Sequence, residues 1–180
     1  MMEESPISSA EELQESPVDQ TRPFFEVSPV KLAVLCFFTL HLYTVYWFYQ
    51  NWKTRQVEGD DVSPILRTLF NPVFFPFLAL RVRDKSRFHD FEVQFSPVAL
   101  AILYFLINLS FNLPDPQWLV SNLAFVPLAL LQTDINKLHR QLGFGPEAPT
   151  LNRVEALLLG VGAVFWVRAM MRIFSGDAGL

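Results

Sequence analysis

Apolar residues in this chain come in uncharged blocks, rather than in the spaced stripe of an amphipathic helix or the alternation of a half-buried strand. The first block, Leu32 to Trp52, follows Lys31 and carries no charge. As a helix rising 1.5 Å per residue it covers about 30 Å, the thickness of a bilayer's hydrocarbon core. Tyr43, Tyr46, Trp47, Tyr49 and Trp52 crowd its second half, and Lys53 and Arg55 follow. Aromatic rings at headgroup depth backed by cations mark the cytoplasmic end of a membrane helix. Ser28-Pro29 supplies the start, a capping Ser before a Pro whose missing N–H is harmless in a first turn. If the run instead bends back between Thr39 and His41, its start is cytoplasmic as well.

Ser63-Pro64 repeats that start signal. The apolar stretch behind it, Thr68 to Leu80, covers only about 20 Å as a helix and contains Pro72 and Pro76. It is too short and too broken to cross a bilayer, so an interfacial or re-entrant element is expected. Arg81, Arg83, Lys85 and Arg87 would anchor it at anionic headgroups. From Val93 to Pro114 and from Pro116 to Thr133 no residue is charged, with Asp115 alone between. Pro114-Asp115-Pro116 is a tight-turn signal, and the pair predicts a transmembrane helical hairpin with its tip on the far side. Residues 134–142 set Ile135, Leu138 and Leu142 on one face, the pattern of a short surface-lying helix. The last apolar core, Ala156 to Val167, is shorter still at about 18 Å as a helix. It crosses only with Glu155 and Arg168 held at the two interfaces. Keeping Lys and Arg inside places loops 53–92 and 134–153 in the cytoplasm and, with a straight first helix, both termini outside.

The expected fold is therefore all-α: a polytopic helical membrane domain over 28–174, with three to four transmembrane helices plus interfacial or re-entrant helices. Charge distribution adds the flanks. Seven of the 18 acidic residues fall in the first 26 positions, where Arg22 is the one basic residue. Rich in Glu, Ser and Pro, residues 1–27 read as a disordered acidic tail, and 175–180 as a short C-terminal tail. Beyond the acidic tail the chain is slightly basic, with no basic stripe of the kind nucleic acid requires. The single Cys36 lies inside the first apolar block, so cysteine use says nothing about compartment. The N-terminus lacks the basic start and apolar core of a cleaved signal peptide, so an internal segment is expected to direct insertion.

Ser28-Pro29-Val30-Lys31-Leu32-Ala33-Val34-Leu35, then Tyr43 and Tyr46-Trp47-Phe48-Tyr49-Gln50-Asn51-Trp52, resemble the SP-x-K-LA-x-L start and YWFY-x-NW block of a group of small bacterial multi-pass membrane proteins. The likeness continues through Ser63-Pro64, the Phe/Pro-rich segment and Gln132 to Leu138, covering most of residues 28–170. Members of that group usually carry Gly where His41 stands here. The resemblance implies a bacterial inner (cytoplasmic) membrane and brings no activity with it.

Candidate chemistry is sparse. An ionisable or amide side chain at membrane depth is a functional position by default, which singles out His41, Asn108, Asn112 and Asn122, with Asp134 just beyond Gln132. The alternative for the amides is hydrogen bonding between helices, with Asn108 and Asn112 on one face and Asn122 opposite. Ala156 and Gly160 make a small-xxx-small pair with Gly162 close by, a face that lets another helix approach, within the chain or between chains. No metal-ligand spacing or nucleophile-base pattern is present, so no cofactor or metal is expected. The lipid bilayer is the expected partner, together with a homo-oligomer or another membrane protein, and no nucleic acid. The leading functional expectation is a non-enzymatic structural or interaction component of the membrane. Behind it stand a small transporter or channel component, motivated by the intramembrane polar residues, and a lipid-modifying enzyme resting on Asp134 and His89. Whether the polar groups share one cavity or scatter among tight contacts separates the first two.

Overall fold

The computed structural model describes residues 22–57, 63–114, 117–145 and 150–174. The chain is all-α, and no strand occurs among the described residues. The expected tail over 1–21 and 175–180 and the Asp115-Pro116 turn lie outside the described residues.

The first apolar block does not form one helix. It divides into α1 (Pro29–Phe38) and α2 (Leu42–Val57), because Leu40 and His41 both adopt the left-handed region, at φ 51° and 66°. His41 N–H donates to the Cys36 carbonyl at 2.8 Å and Leu40 N–H to the Phe37 carbonyl at 3.3 Å, the two bonds of a Schellman cap. Thr39 then joins the two helices, its hydroxyl donating to the Leu35 carbonyl at 2.6 Å and accepting from Tyr43 N–H at 3.0 Å. Cys36 and Thr44 meet across the turn at 3.4 Å, and Phe25, ahead of α1, donates its N–H to Asn51 Oδ1 near the end of α2 at 3.2 Å. The start and finish of the block therefore lie on one face, the bent alternative rather than the straight one.

Two further pairs follow the same plan. α3 (Pro64–Leu69) rises beside α2 and breaks at Phe70, and α4 (Asn71–Phe88) returns; Pro72 is tolerated in its first turn, where no N–H is needed. α5 (Pro97–Leu109), started by Ser96 Oγ accepting from Ala99 N–H at 3.4 Å, is followed by a 3-10 turn, Ser110–Asn112. A 3-10 segment, Gln117–Ala124, leads into α6 (Phe125–Gln141). The expected surface helix over 134–142 is instead the continuation of α6, with Ile135 and Leu138 fully buried because both sides of that stretch are covered. The hairpin expected over 93–133 is present but shorter than planned, its ends taken up by extended and 3-10 backbone. Among the described residues no helix is long and apolar enough to cross a membrane. α7 (Arg153–Phe174) is the longest, yet its uncharged stretch lies between Glu155 and Arg168. That stretch covers only about 18 Å of the roughly 30 Å a crossing requires.

All three hairpins point the same way. Their tips, at Leu40-His41, Asn71 and Asn108 to Asn122, line one cavity. At the opposite end, the base, Gln132 Nε2 donates to the Phe25 carbonyl at 3.1 Å, Asn136 Nδ2 to the Val27 carbonyl at 2.8 Å, and Asp134 accepts from the N–H groups of Gln94 and Phe95. Phe24 and Val27 are buried there, so residues 22–27 belong to the packed domain rather than to a tail. The core between base and tips is aromatic: Phe48, Phe75 and Tyr104 pack at centroid distances of 4.6 to 6.1 Å, with Trp47 on Phe48 at 5.1 Å.

α7 leans on the first hairpin. Gly162 faces the turn so closely that a Cβ there collides with the Phe38 carbonyl oxygen, while Trp166 stacks on Phe37 at 5.7 Å. The close-packing glycine is thus Gly162; Ala156 and Gly160 are exposed, and a Cβ at Gly160 meets nothing within 4 Å. Among the described residues that pair therefore faces outward rather than into a helix contact. We expect Gly162→Val to destabilise the fold by about 2 kcal/mol or more, since the clash is with backbone, and Gly160→Val to leave it nearly unchanged. Thermal unfolding of both variants checks this, and equal midpoints would contradict the packing described.

Candidate functional site

Among the described residues, the hairpin tips bring three of the sequence's polar candidates, His41, Asn108 and Asn122, to one place. A cavity of about 590 Å³ is lined by His41 and Thr44 from the first hairpin, Asn71 from the second, and Tyr104, Asn108 and Asn122 from the third, among others. Its size falls within the range of small-molecule sites, about 300 to 1,000 Å³. His41 reaches it because the left-handed backbone at the turn throws the side chain off the helix axis and toward the 3-10 segment. There its ring lies near the Asn122 backbone, and Nε2 is buried with no hydrogen bond to the protein. Tyr104 donates to Asn71 Oδ1 at 2.6 Å, Asn71 Nδ2 to the Thr68 carbonyl at 3.2 Å, and Asn108 Nδ2 to the Tyr104 carbonyl at 2.8 Å. Each of these donors is turned into the protein. The polar lining is mixed: Asn108, with one amide N–H held by the Tyr104 carbonyl, is joined by the hydroxyl groups of Thr44 and Ser121 and the amide of Asn122.

Two sequence candidates fall elsewhere. Asn112 is exposed on the 3-10 turn, bonded to the Leu109 carbonyl at 3.3 Å; α5 ends at Leu109, so the shared face with Asn108 is not formed. Asp134 sits at the base, where its carboxylate caps the extended 94–95 backbone at 3.0 and 3.3 Å. Burial pushes its pKa up, against the pull of those two N–H donors and of Lys137. It is a structural clamp between α6 and the lead-in to α5, and Lys137 reinforces it by bonding Gln94 Oε1. Among the described residues no group of His, Cys, Asp and Glu is placed to hold a metal ion.

The base carries charges that sequence reasoning placed only as interface markers. Glu155 is fully buried, pairs with Lys31 Nζ at 2.9 Å and accepts from the Tyr43 hydroxyl at 2.9 Å. It also forms a capping box with Asn152, Asn152 N–H to Glu155 Oε2 at 2.9 Å and Glu155 N–H to Asn152 Oδ1 at 2.8 Å. The spacing Asn152-x-x-Glu155 was the available signal for the cap; nothing in the sequence pointed to Lys31 and Tyr43. Nearby, Arg22 pairs with Glu26, donates to the Gly145 carbonyl at 3.2 Å and lies over Phe144, closing residues 22–26 over His139 on α6. His139 is fully buried with neither ring nitrogen hydrogen-bonded, and Phe144 stands edge-on to it at 5.7 Å. Burial and the Arg22 cation lower its pKa to about 4, although Glu26 lies 3.9 Å away, because that carboxylate is already paired with Arg22.

Compared with known protein families, with curated proteins and with solved structures, the chain matches none.

Removing Glu155 takes the carboxylate from Lys31 and from the buried Tyr43 hydroxyl, so Glu155→Ala is expected to destabilise by about 3 to 5 kcal/mol, and Lys31→Met combined with Glu155→Met by much less. A double-mutant cycle on denaturation measures this; additive single effects would contradict it. The neutral ring of His139 gives a second expectation. Its folded pKa lies below the 6.5 of a free imidazole, so its contribution is complete above pH 6.5 and is lost as pH falls toward 4. Unfolding monitored across that window should show a slope that His139→Gln flattens, and an unchanged slope in the variant would contradict the buried neutral ring.

Proposed function

We propose that the chain is a membrane-embedded, non-enzymatic component whose three hairpins dip into a bilayer from one face, with the cavity between their tips as its binding site. One observation carries this reading: large apolar side chains stand outward around the hairpins while most of the cations gather at the base, Arg168 on α7 beyond the first turn being the exception. Val30, Leu69, Val73, Phe77, Leu106 and Val164 are each more than half exposed, and they are a few among many. A water-soluble monomer seldom leaves so much contiguous apolar surface uncovered. At the other end lie Lys31, Lys53, Arg83, Lys85, Arg87, Lys137 and Arg153, a ring suited to an anionic headgroup layer.

The dimensions agree with this placement. α1 has 10 residues, about 15 Å, half of a bilayer's hydrocarbon core. Helices that turn back at that depth need no long apolar span, and the bend lets them enter and leave on the same side. By the positive-inside rule the base faces the cytoplasm, which puts residues 22–27 there as well. The resemblance noted above favours a bacterial inner membrane. The outward face of Ala156 and Gly160 on α7 is where a second copy or another membrane protein would pack.

A second reading, a small transporter or channel component, is favoured by the meeting of His41, Asn108 and Asn122 in one cavity rather than in separate helix contacts. Asp134, on which an enzymatic reading leaned, is engaged in capping backbone N–H groups.

Flotation tests the placement. The full chain is expected to float with phospholipid vesicles and to stay with them through an alkaline, high-salt wash. Release by that wash, or a stable compact monomer obtained without detergent or lipid, would overturn it.

A further inference from the structure

We infer that a recess at the base, between the end of α4 and the lead-in to α5, binds a zwitterionic phosphodiester head, its phosphate on Arg83 and Arg87 and its ammonium on Glu92. The inference rests on the membrane placement proposed above for the source of that head, a phospholipid, and names the lipid chemistry the base takes.

The recess has a volume of about 320 Å³ and is lined by Arg83 and Arg87 from α4 and by Glu92, Val93, Phe95 and Ser96 from the segment that follows. Small-molecule sites run from about 300 to 1,000 Å³, so the space suits a headgroup without its chains. Arg83 and Arg87 stand four apart on one helix, which makes their guanidinium groups neighbours of like charge. Asp84 engages only one of them, accepting from Nε and Nη2 of Arg83 at 3.2 and 3.1 Å in an exposed pair of adjacent residues. Arg87 has no ion pair among the described residues, and none joins Glu92 to either arginine. Two cations and a carboxylate thus line one recess without satisfying one another.

That combination selects the ligand. A simple anion gains the arginines but meets Glu92, and a simple ammonium meets the reverse. A phosphodiester carries one negative charge, which two guanidinium groups share through paired N–H donors. An ammonium tethered to it brings the opposite charge to Glu92. Ser96 adds little, because its hydroxyl oxygen is engaged in capping α5. The wall that carries Glu92 is held in place by Asp134, which accepts from the N–H groups of Gln94 and Phe95 at 3.0 and 3.3 Å, so the recess is formed before a ligand arrives. Such a head comes from a lipid or from a soluble ester. Phe88, next to Arg87 and 81 % exposed, favours the lipid, since an uncovered ring beside cations suits the boundary between headgroups and acyl chains.

The test titrates the full chain in neutral detergent with phosphatidylethanolamine, phosphatidylglycerol and diacylglycerol of one acyl composition, with bound lipid followed by native mass spectrometry. Phosphatidylethanolamine is expected to bind roughly tenfold more tightly than phosphatidylglycerol, which lacks the ammonium, and diacylglycerol most weakly. Glu92→Gln is expected to abolish the preference between the two phospholipids. Arg83→Gln combined with Arg87→Gln is expected to weaken both roughly tenfold or more, while Lys53→Gln, at an exposed cation elsewhere on the base, changes neither. Should the arginine double variant unfold, Arg87→Gln alone, at an exposed position, provides the comparison. Glycerophosphoethanolamine, the same head without chains, separates the two sources: weaker binding than the lipid is expected, and equal binding would assign the recess to a soluble ester and overturn the lipid source. Diacylglycerol bound as tightly as the phospholipids, a preference unchanged by Glu92→Gln, or an equal loss with Lys53→Gln would overturn the inference. A chain that floats with vesicles yet shows no headgroup preference removes this inference alone; a chain that does not float removes the placement beneath it.

Discussion

A reversal at Leu40 and His41 governs this structure. Two consecutive non-glycine residues in the left-handed region cost roughly 1 to 2 kcal/mol each, so the turn persists only because its surroundings fix it. Thr39 supplies both a donor and an acceptor to the backbone on either side, and the Schellman bonds close the end of α1. From the outside, Gly162 lets α7 press against the Phe38 carbonyl. Had the run continued straight, Phe25 could not reach Asn51, and Tyr43 and Lys31 could not both reach Glu155.

The same reversal divides the molecule into two chemically different ends. At the base, buried polar groups are paired across elements distant in sequence: Trp47 with Gln132 at 2.6 Å, Asn136 with the Val27 carbonyl, Asp134 with the 94–95 backbone, Glu155 with Lys31. Networks of this kind fix one arrangement of the helices, since breaking any member leaves a buried group unsatisfied. Pairing is incomplete at both ends: the His139 ring at the base and His41 Nε2 at the tips are buried without a hydrogen bond.

Much of the helical order was legible in the sequence. The Ser-Pro pairs at 28–29 and 63–64 do mark helix starts, although neither serine side chain makes a capping bond. The turn at 40–41 was weakly signalled, because Leu and His carry no intrinsic preference for φ above zero and only tertiary contacts hold them there. Length was the misleading cue: an uncharged run from Leu32 to Trp52 suits a straight span, and periodicity cannot distinguish that from two short helices back to back. His41, Asn108 and Asn122 stood out as polar residues in apolar blocks, whereas Asn71 and Tyr104 became site residues only once the tips of three hairpins were brought together. Gly162 rather than Gly160 turned out to be the contact glycine because the face that α7 presents to the turn is set by Glu155 and its bond to Lys31.

In the placement we propose, the chain enters and leaves a lipid layer on one side and keeps a polar notch at its deepest point, which suits it to hold something that moves within the membrane. That account stands on the fold-back of the first apolar block, and a distance across it is the most direct measurement. Spin labels at positions 28 and 53, both exposed, in a background where the buried Cys36 is replaced by Ser, report it in lipid by pulsed electron spin resonance. The fold-back predicts a separation below about 25 Å, given that Phe25 and Asn51 touch. A distribution centred at about 38 Å, the length of one unbroken helix between those positions, would contradict it.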